Sequence, residues 1–171
     1  MDEGLLCVPV SVNLSHMHLQ DLQIVKELKE IVDQYKVPTE LIQLEITESA
    51  MIENEKILEQ VIERLHEMGF KVLLDDFGVG YSSLMAINSL NFDVLKIDKS
   101  FVDALDSANG KFIIEYRIKL GRQLGMDIIA EGVETKEQVE YFNQMEQVSL
   151  QGYYFSKPVD RVIIQKFMQS R

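Results

Sequence analysis

Six times along this chain a short apolar run gives way to a stretch with helical spacing, and that recurrence limits the fold more than any other feature. The runs are VPVSVNLS, LIQLEITES, KVLLDDF, DVLKID, DIIAEGV and SLQGYYF, each of a length suited to a buried strand. Between them, Leu22, Val25, Leu28, Val32 and Tyr35 predict an amphipathic helix from Leu19 to Tyr35. ILEQVIERLHEM predicts another, which Gly69 can close at C′. A short helix is expected from about Ser82 and a longer one near Phe112 to Leu124. Thr135 and Gln138 have the spacing of a capping box, and Asp160 can cap a last helix through Phe167. Strands alternating with helices in this way imply a parallel sheet with right-handed crossovers.

The strand ends distinguish an open sheet from a barrel. An open doubly wound sheet gathers its polar residues at one switch point. Here every run ends on one: Asn13, Glu45, Asp75 with Asp76, Lys96 with Asp98, Glu131, and Gln151. That distribution suits a TIM-like (β/α)8 barrel, whose loops converge at one mouth. Eight units complete such a barrel, so a chain with about six is expected to lack the first two and to be truncated. Alternation places Val8, Val10, Val12 and Leu14 on one face of the first strand and Asn13 on the other. In the second strand it sets Ile42, Leu44 and Ile46 against Gln43, Glu45 and Thr47.

With 171 residues, 46% of them hydrophobic, there is material for one core, and residues 1–171 are expected to form a single domain. A net charge of −11, from 17 basic and 28 acidic residues, argues against DNA or any nucleic-acid backbone as partner. Small phosphorylated ligands remain compatible, because bound cations can invert the local sign. Cys7 is the only cysteine, so an intramolecular disulfide is excluded and a reducing cytoplasm is expected. The apolar runs are far shorter than a membrane span, and the N-terminus lacks the pattern of a signal peptide.

Asn13, Glu45, Asp75, Asp76 and Glu131 form a set of oxygen donors without Cys or His. Hard divalent cations prefer such sets, which points to Mg²⁺ or Mn²⁺. Two ions roughly 3.5 to 4 Å apart would organise in-line attack of water on a phosphodiester. The plainer reading makes these acids solvated loop residues or helix caps. Lys96 has the polar parity of its strand and would project toward the acids, to orient water or neutralise transition-state charge. Its plainer role is an ion pair with Asp98 or Glu131. The Gly78-to-Ser83 segment leads into a helix N-terminus that can hold phosphate oxygens, although its glycines serve a turn equally well.

Several lookalikes lead elsewhere. Asp76, Phe77 and Gly78 match a kinase metal motif without its accompanying loops, and GVGYSS is not a dinucleotide fingerprint. His16 and His18 are expected on a surface loop and His66 on a solvated helix face. Met68, Phe142 and Phe167 are expected in the core.

Taken together, SVNLS, LEITES, LLDDFGVGYSSL, LKIDKSFV, IIAEGVET and QGYYFSKP resemble the EAL-domain cyclic di-GMP phosphodiesterases of bacteria over Val8 to about Met168. The resemblance implies hydrolysis of cyclic di-GMP to linear pGpG with Mg²⁺ or Mn²⁺. It implies that Asn13, Glu45 and Asp75 are metal ligands, Asp75 shared between two ions, with Asp76 and Glu131 on the second. It also implies Glu131 as general base, Lys96 against the catalytic water, and Glu48 as support for the DDFGVGYSS loop. Asp98, Glu134 and Gln151 match further family positions near the site. Pairing of two copies through the region after DDFG, and an upstream GGDEF or sensory domain, are further implications.

The chain departs from the family pattern at its start. The Glu-Ala-Leu segment and its downstream Arg belong to a strand before the one that carries Asn13, and nothing before Leu5 can supply them. Impaired hydrolysis is therefore expected. The alternative is an inactive remnant that binds cyclic di-GMP or a protein partner. Smaller departures are Glu115 and Tyr116 in a helix that is usually apolar, and NQMEQVSL before Gln151.

Overall fold

The computed structural model describes residues 7–51, 55–78, 87 and 89–169. Six strands, β1 (Val10–Asn13), β2 (Ile42–Thr47), β3 (Lys71–Asp75), β4 (Val94–Ile97), β5 (Asp127–Ala130) and β6 (Val148–Leu150), lie side by side in chain order. All five pairings are parallel. Spatial order that follows chain order has no switch point, as the dispersed polar strand ends required. The sheet curls into a half-barrel, the (β/α)8 architecture represented by six strands.

Among the described residues the α-helices with defined bounds are α1 (Gln23–Gln34), α2 (Glu55–Glu67), α3 (Lys99–Asp103), α4 (Ala108–Gln123), α5 (Lys136–Phe142) and α6 (Arg161–Gln169). α1, α2, α4 and α5 each bury apolar residues in the core, whereas α6 leaves Val162, Ile163, Ile164 and Phe167 exposed. On α2, Leu58, Val61, Ile62 and Leu65 are buried, and they pack in one core with Leu44, Ile46, Val72 and Leu74 of the sheet. Gly121 lets α4 lie close to β4 and β5, since a Cβ there would stand 2.5 Å from Ile128 Cδ1 and 3.0 Å from Leu95 Cδ2. Gly69 closes α2 at φ 87°, Thr135 and Gln138 make the reciprocal capping box of α5, and Asp160 accepts from Ile163 N at 3.1 Å at the start of α6.

The helix expected from about Ser82, and the part of the Gly78-to-Ser83 segment beyond Gly78, lie outside the described residues. So do Leu5 and Leu6. Elsewhere four expectations need correction. The Leu19–Tyr35 helix is divided: a 3-10 turn at His18–Gln20 precedes α1, and Asp21 Oδ1 accepts from Gln23 N at 3.0 Å where the helix restarts. Val8, Val10 and Val12 are exposed rather than buried, because β1 is an edge strand that pairs with β2 alone among the described residues. Phe167 is exposed on α6, whereas Phe142 is buried as expected. His66 is half-buried, with Nε2 2.9 Å from Asp93 Oδ2, an atom that also accepts from Val72 N at 2.8 Å. No described helix is long and apolar enough to cross a membrane.

Candidate active site

Strand parity builds the site. In β2, Leu44 and Ile46 turn outward into the helix layer, which leaves Glu45 on the concave face. Glu45 is in register with Leu73 on β3, and Asp75 follows two residues on with the same parity. Lys96 on β4 sits between Leu95 and Ile97, which both join the outer core, so Lys96 also faces inward. Its register partner on β5 is Ile129, and Glu131 lies two residues beyond that, with its own N–H donated to Ile97 O at 3.0 Å. Four neighbouring strands thus deliver four charged side chains to one level of the mouth.

Lys96 is the hub of this group. Its Nζ lies 2.9 Å from Glu45 Oε1, 3.2 Å from Asp75 Oδ1 and 2.8 Å from Glu131 Oε1. Lys96 is only 3% exposed and Glu45 7%, so these contacts are shielded from water. Burial works against the ammonium, but the hydrogen bonds to Glu131 and Glu45 and the charges of Glu131 and Asp75 outweigh it, and the pKa of Lys96 is raised. Of the two ion pairs that the plainer reading offered for Lys96, the one with Glu131 forms.

The acids remain undercompensated. Burial raises the pKa of Glu131, assisted by Asp75 and Glu45 and opposed by Lys96. Asp76 is likewise raised by burial and by the charges of Asp75, Asp98 and Glu48, with Lys96 again opposing. One ammonium therefore serves a crowd of carboxylates, a setting that favours further positive charge.

The turn after β3 is built to hold Asp76. Asp76 has φ 57°, a left-handed conformation, and its N–H donates to Asp75 Oδ1 at 3.0 Å. Glu48, 2% exposed, accepts from Gly78 N at 2.6 Å and so steadies the segment after Asp75 and Asp76. Arg117 of α4 reaches the same turn with donations to Phe77 O and Gly78 O. Sequence reasoning missed Arg117, since an arginine within a helix carries no mark that separates it from a solvated one.

The remaining residues flank the cluster. Asn13 ends β1, in register with Glu45 but exposed. Asp98 directly follows β4 and caps α3 by accepting from Ser100 N at 3.0 Å. Glu134 pairs with Lys99 at 2.8 Å on the rim, where both side chains are exposed. Gln151 directly follows β6; its N–H donates to Ala130 O at 2.9 Å and its carbonyl accepts from Val133 N at 3.1 Å.

The donor set suits a hard cation in kind, since it consists of carboxylates with one amide and no sulfur. Among the described residues no group of three or more His, Cys, Asp and Glu side chains stands assembled as a metal site. The physical reason is Lys96, whose ammonium lies between Glu45, Asp75 and Glu131. The oxygen donors that could hold a divalent ion there are those of Glu45, Asp75, Asp76 and Glu131, with Asn13 at the edge.

Comparison with known proteins places this geometry in a family. The EAL domain family model matches residues 4–158. The probable cyclic di-GMP phosphodiesterase PdeG of Escherichia coli is 37% identical over 95% of this chain, and the match covers 32% of PdeG. The oxygen sensor protein DosP of the same organism is 36% identical over 94% of the chain and is covered to 20%. This chain thus spans a third or less of the length of either relative. Among solved structures, the PaMucR phosphodiesterase in complex with c-di-GMP superposes with a TM-score of 0.86 at 31% identity, covering 91% of this chain and 64% of that one. The EAL domain of Mycobacterium smegmatis DcpA gives a TM-score of 0.90 at 31% identity, with 95% and 73% covered. The chain, with its parallel half-barrel and acidic mouth, belongs to the EAL domain family.

Proposed function

We propose that this chain provides the catalytic mouth of a cyclic di-GMP phosphodiesterase, which hydrolyses one phosphodiester to give linear pGpG. The observation that carries the reading is the convergence of Glu45, Asp75 and Glu131 on Lys96, with Asp76 beside them. PdeG and PaMucR, named as phosphodiesterases of this dinucleotide or bound to it, support the choice of substrate.

In this reading Asn13, Glu45, Asp75, Asp76 and Glu131 hold Mg²⁺ or Mn²⁺. When bound, the ions lower the pKa of water and offset the charge of the phosphate. Glu131, whose carboxyl keeps its proton more readily than an ordinary glutamate, serves as general base. Lys96 orients the water and balances charge as the phosphorus centre crowds. The hydroxyl of the water joins phosphorus, the P–O3′ bond breaks, and the proton ends on the released 3′ oxygen. Glu48 holds the turn that carries Asp75 and Asp76, while Asp98, Glu134 and Gln151 shape the rim.

A second reading makes the chain a module that binds cyclic di-GMP or a protein partner without turnover. It is favoured by the position of Lys96, which occupies the space between three of the candidate ligands. The test is chromatographic detection of pGpG from cyclic di-GMP with excess Mn²⁺, beside calorimetry with the same dinucleotide. Turnover that disappears in Glu131→Gln supports the first reading. Binding without turnover supports the second, and neither binding nor turnover overturns both for the dinucleotide.

A further inference from the structure

Arg117 occupies a place that the reading above does not use. It rises from the buried side of α4 beneath the turn that follows Asp75 and Asp76. Its Nη1 donates to Phe77 O and its Nη2 donates to Gly78 O at 3.2 Å. The guanidinium carbon lies 3.8 Å from the centre of the Phe101 ring and 5.0 Å from that of Phe77, so aromatic faces receive the charge. Nε is buried without a hydrogen-bond partner among the described residues, a cost offset by the two donations at the far end of the group.

The contacts single out one peptide. The unit joining Phe77 to Gly78 has its carbonyl bonded by Arg117 and its N–H bonded to Glu48 Oε2 at 2.6 Å. Both poles of that peptide plane are therefore held, by side chains of opposite charge from opposite sides. Gly78 permits the approach, because a Cβ there would stand 1.9 Å from Arg117 Nη2, and its φ of 85° suits glycine. Two residues earlier, Asp76 has φ 57°, a left-handed conformation that a non-glycine residue keeps only where its surroundings enforce it. Simple packing does not require a guanidinium here. A methionine would fill the space between Phe77 and Phe101 without leaving Nε unsatisfied.

We propose that Arg117 is a positioning residue that, together with Glu48, clamps the Phe77–Gly78 peptide and so fixes the direction in which Asp75 and Asp76 present their carboxylates. The consequence for metal affinity rests on the reading above, in which those two acids hold a divalent ion. The clamp itself does not.

The test compares the wild-type chain with Arg117→Met and Arg117→Lys. Amide hydrogen exchange at Gly78 and Mn²⁺ binding, read by electron paramagnetic resonance, are measured beside thermal unfolding. Loss of a charge-assisted donor pair predicts Gly78 exchange at least about tenfold faster and Mn²⁺ binding at least about tenfold weaker in Arg117→Met. Thermal unfolding separates loss of the clamp from loss of the fold, since removing the donors to Phe77 O and Gly78 O also lowers stability. Arg117→Lys keeps the charge but cannot span two carbonyls, so it should fall between the other two. Unchanged Gly78 exchange in Arg117→Met overturns the clamp. If Arg117→Met fails to fold, unchanged Gly78 exchange in Arg117→Lys overturns it instead. Faster Gly78 exchange in a chain whose wild type binds no Mn²⁺ supports the clamp and removes the metal reading, so the two failures are distinct. Faster exchange with undiminished Mn²⁺ binding overturns the role of the clamp in directing the acids.

Discussion

Lys96 Nζ and Glu131 Oε1 lie 2.8 Å apart, joined from adjacent strands at a level where the same ammonium also meets Glu45 and Asp75. Removal of the lysine leaves shielded carboxylates facing one another without a counter-charge. Breaking a buried pair on one side costs about 3–5 kcal/mol, and three carboxylates share the loss here. Lys96→Met should therefore unfold in urea with a free energy lower by about that amount at neutral pH. Added Mn²⁺ should restore part of the loss if the acids accept a metal in its place.

Glu48 is the acceptor for Gly78 N from a position almost wholly out of water. Glu48→Ala strands that amide and should cost about 1–3 kcal/mol. Glu48→Gln keeps an acceptor oxygen and should lose less. Equilibrium urea unfolding of the two variants checks the order, and a larger loss for Gln than for Ala contradicts the hydrogen bond.

Asp98 carries a pH dependence whose sign follows from its role as a cap. Partial burial alone would raise its pKa, but hydrogen bonds from Ser100 and Lys99 and the charge of Arg117 outweigh that and lower it below 3.8. A depressed carboxylate contributes stability above its unfolded pKa and loses it as pH falls through the folded pKa. The gap between wild type and Asp98→Ala should be about 1 kcal/mol at neutral pH and should close at pH values below 3.8. Asp98→Asn caps about as well without the charge, so its stability should follow pH less steeply. Urea midpoints measured from about pH 6 to about pH 3 provide the check.

How much of the fold and the site is legible in the sequence depends on the range of the interaction concerned. Parity and periodicity are local properties, so the order of residues alone reveals the strands that carry Glu45, Asp75 and Lys96, the face on which each side chain stands, and the caps at Thr135 and Asp160. The barrel order follows from where polar residues end the strands. The number of acids that one lysine binds depends on the curvature of the sheet, which no single strand encodes. Arg117 leaves no such trace because its partners, Phe77 O and Gly78 O, are backbone atoms 40 and 39 residues away. The expectation for Val8, Val10 and Val12 failed for a related reason: alternation identifies an apolar face, but cover for that face comes from elements distant in the chain.

Gly152 sets how closely the segment bearing Gln151 approaches the one bearing Glu131. A Cβ on Gly152 would stand 2.1 Å from Val133 O and 2.3 Å from Val133 N, both backbone atoms that a side-chain rotation cannot clear. The same peptide groups are occupied: Val133 N donates to Gln151 O at 3.1 Å, and Tyr154 N donates to Val133 O at 3.0 Å. Gly152→Ala must push the two strand-end segments apart and stretch both bonds, at a cost of about 1–3 kcal/mol. Gly125→Ala is the matched control. Its φ of 78° carries backbone strain, but nothing stands within 4 Å of the added methyl, so its cost should be limited to the left-handed conformation, about 1 kcal/mol. Urea unfolding of both variants decides the matter, and an equal or smaller loss for Gly152→Ala would mean that the approach of these two segments is not held by the glycine.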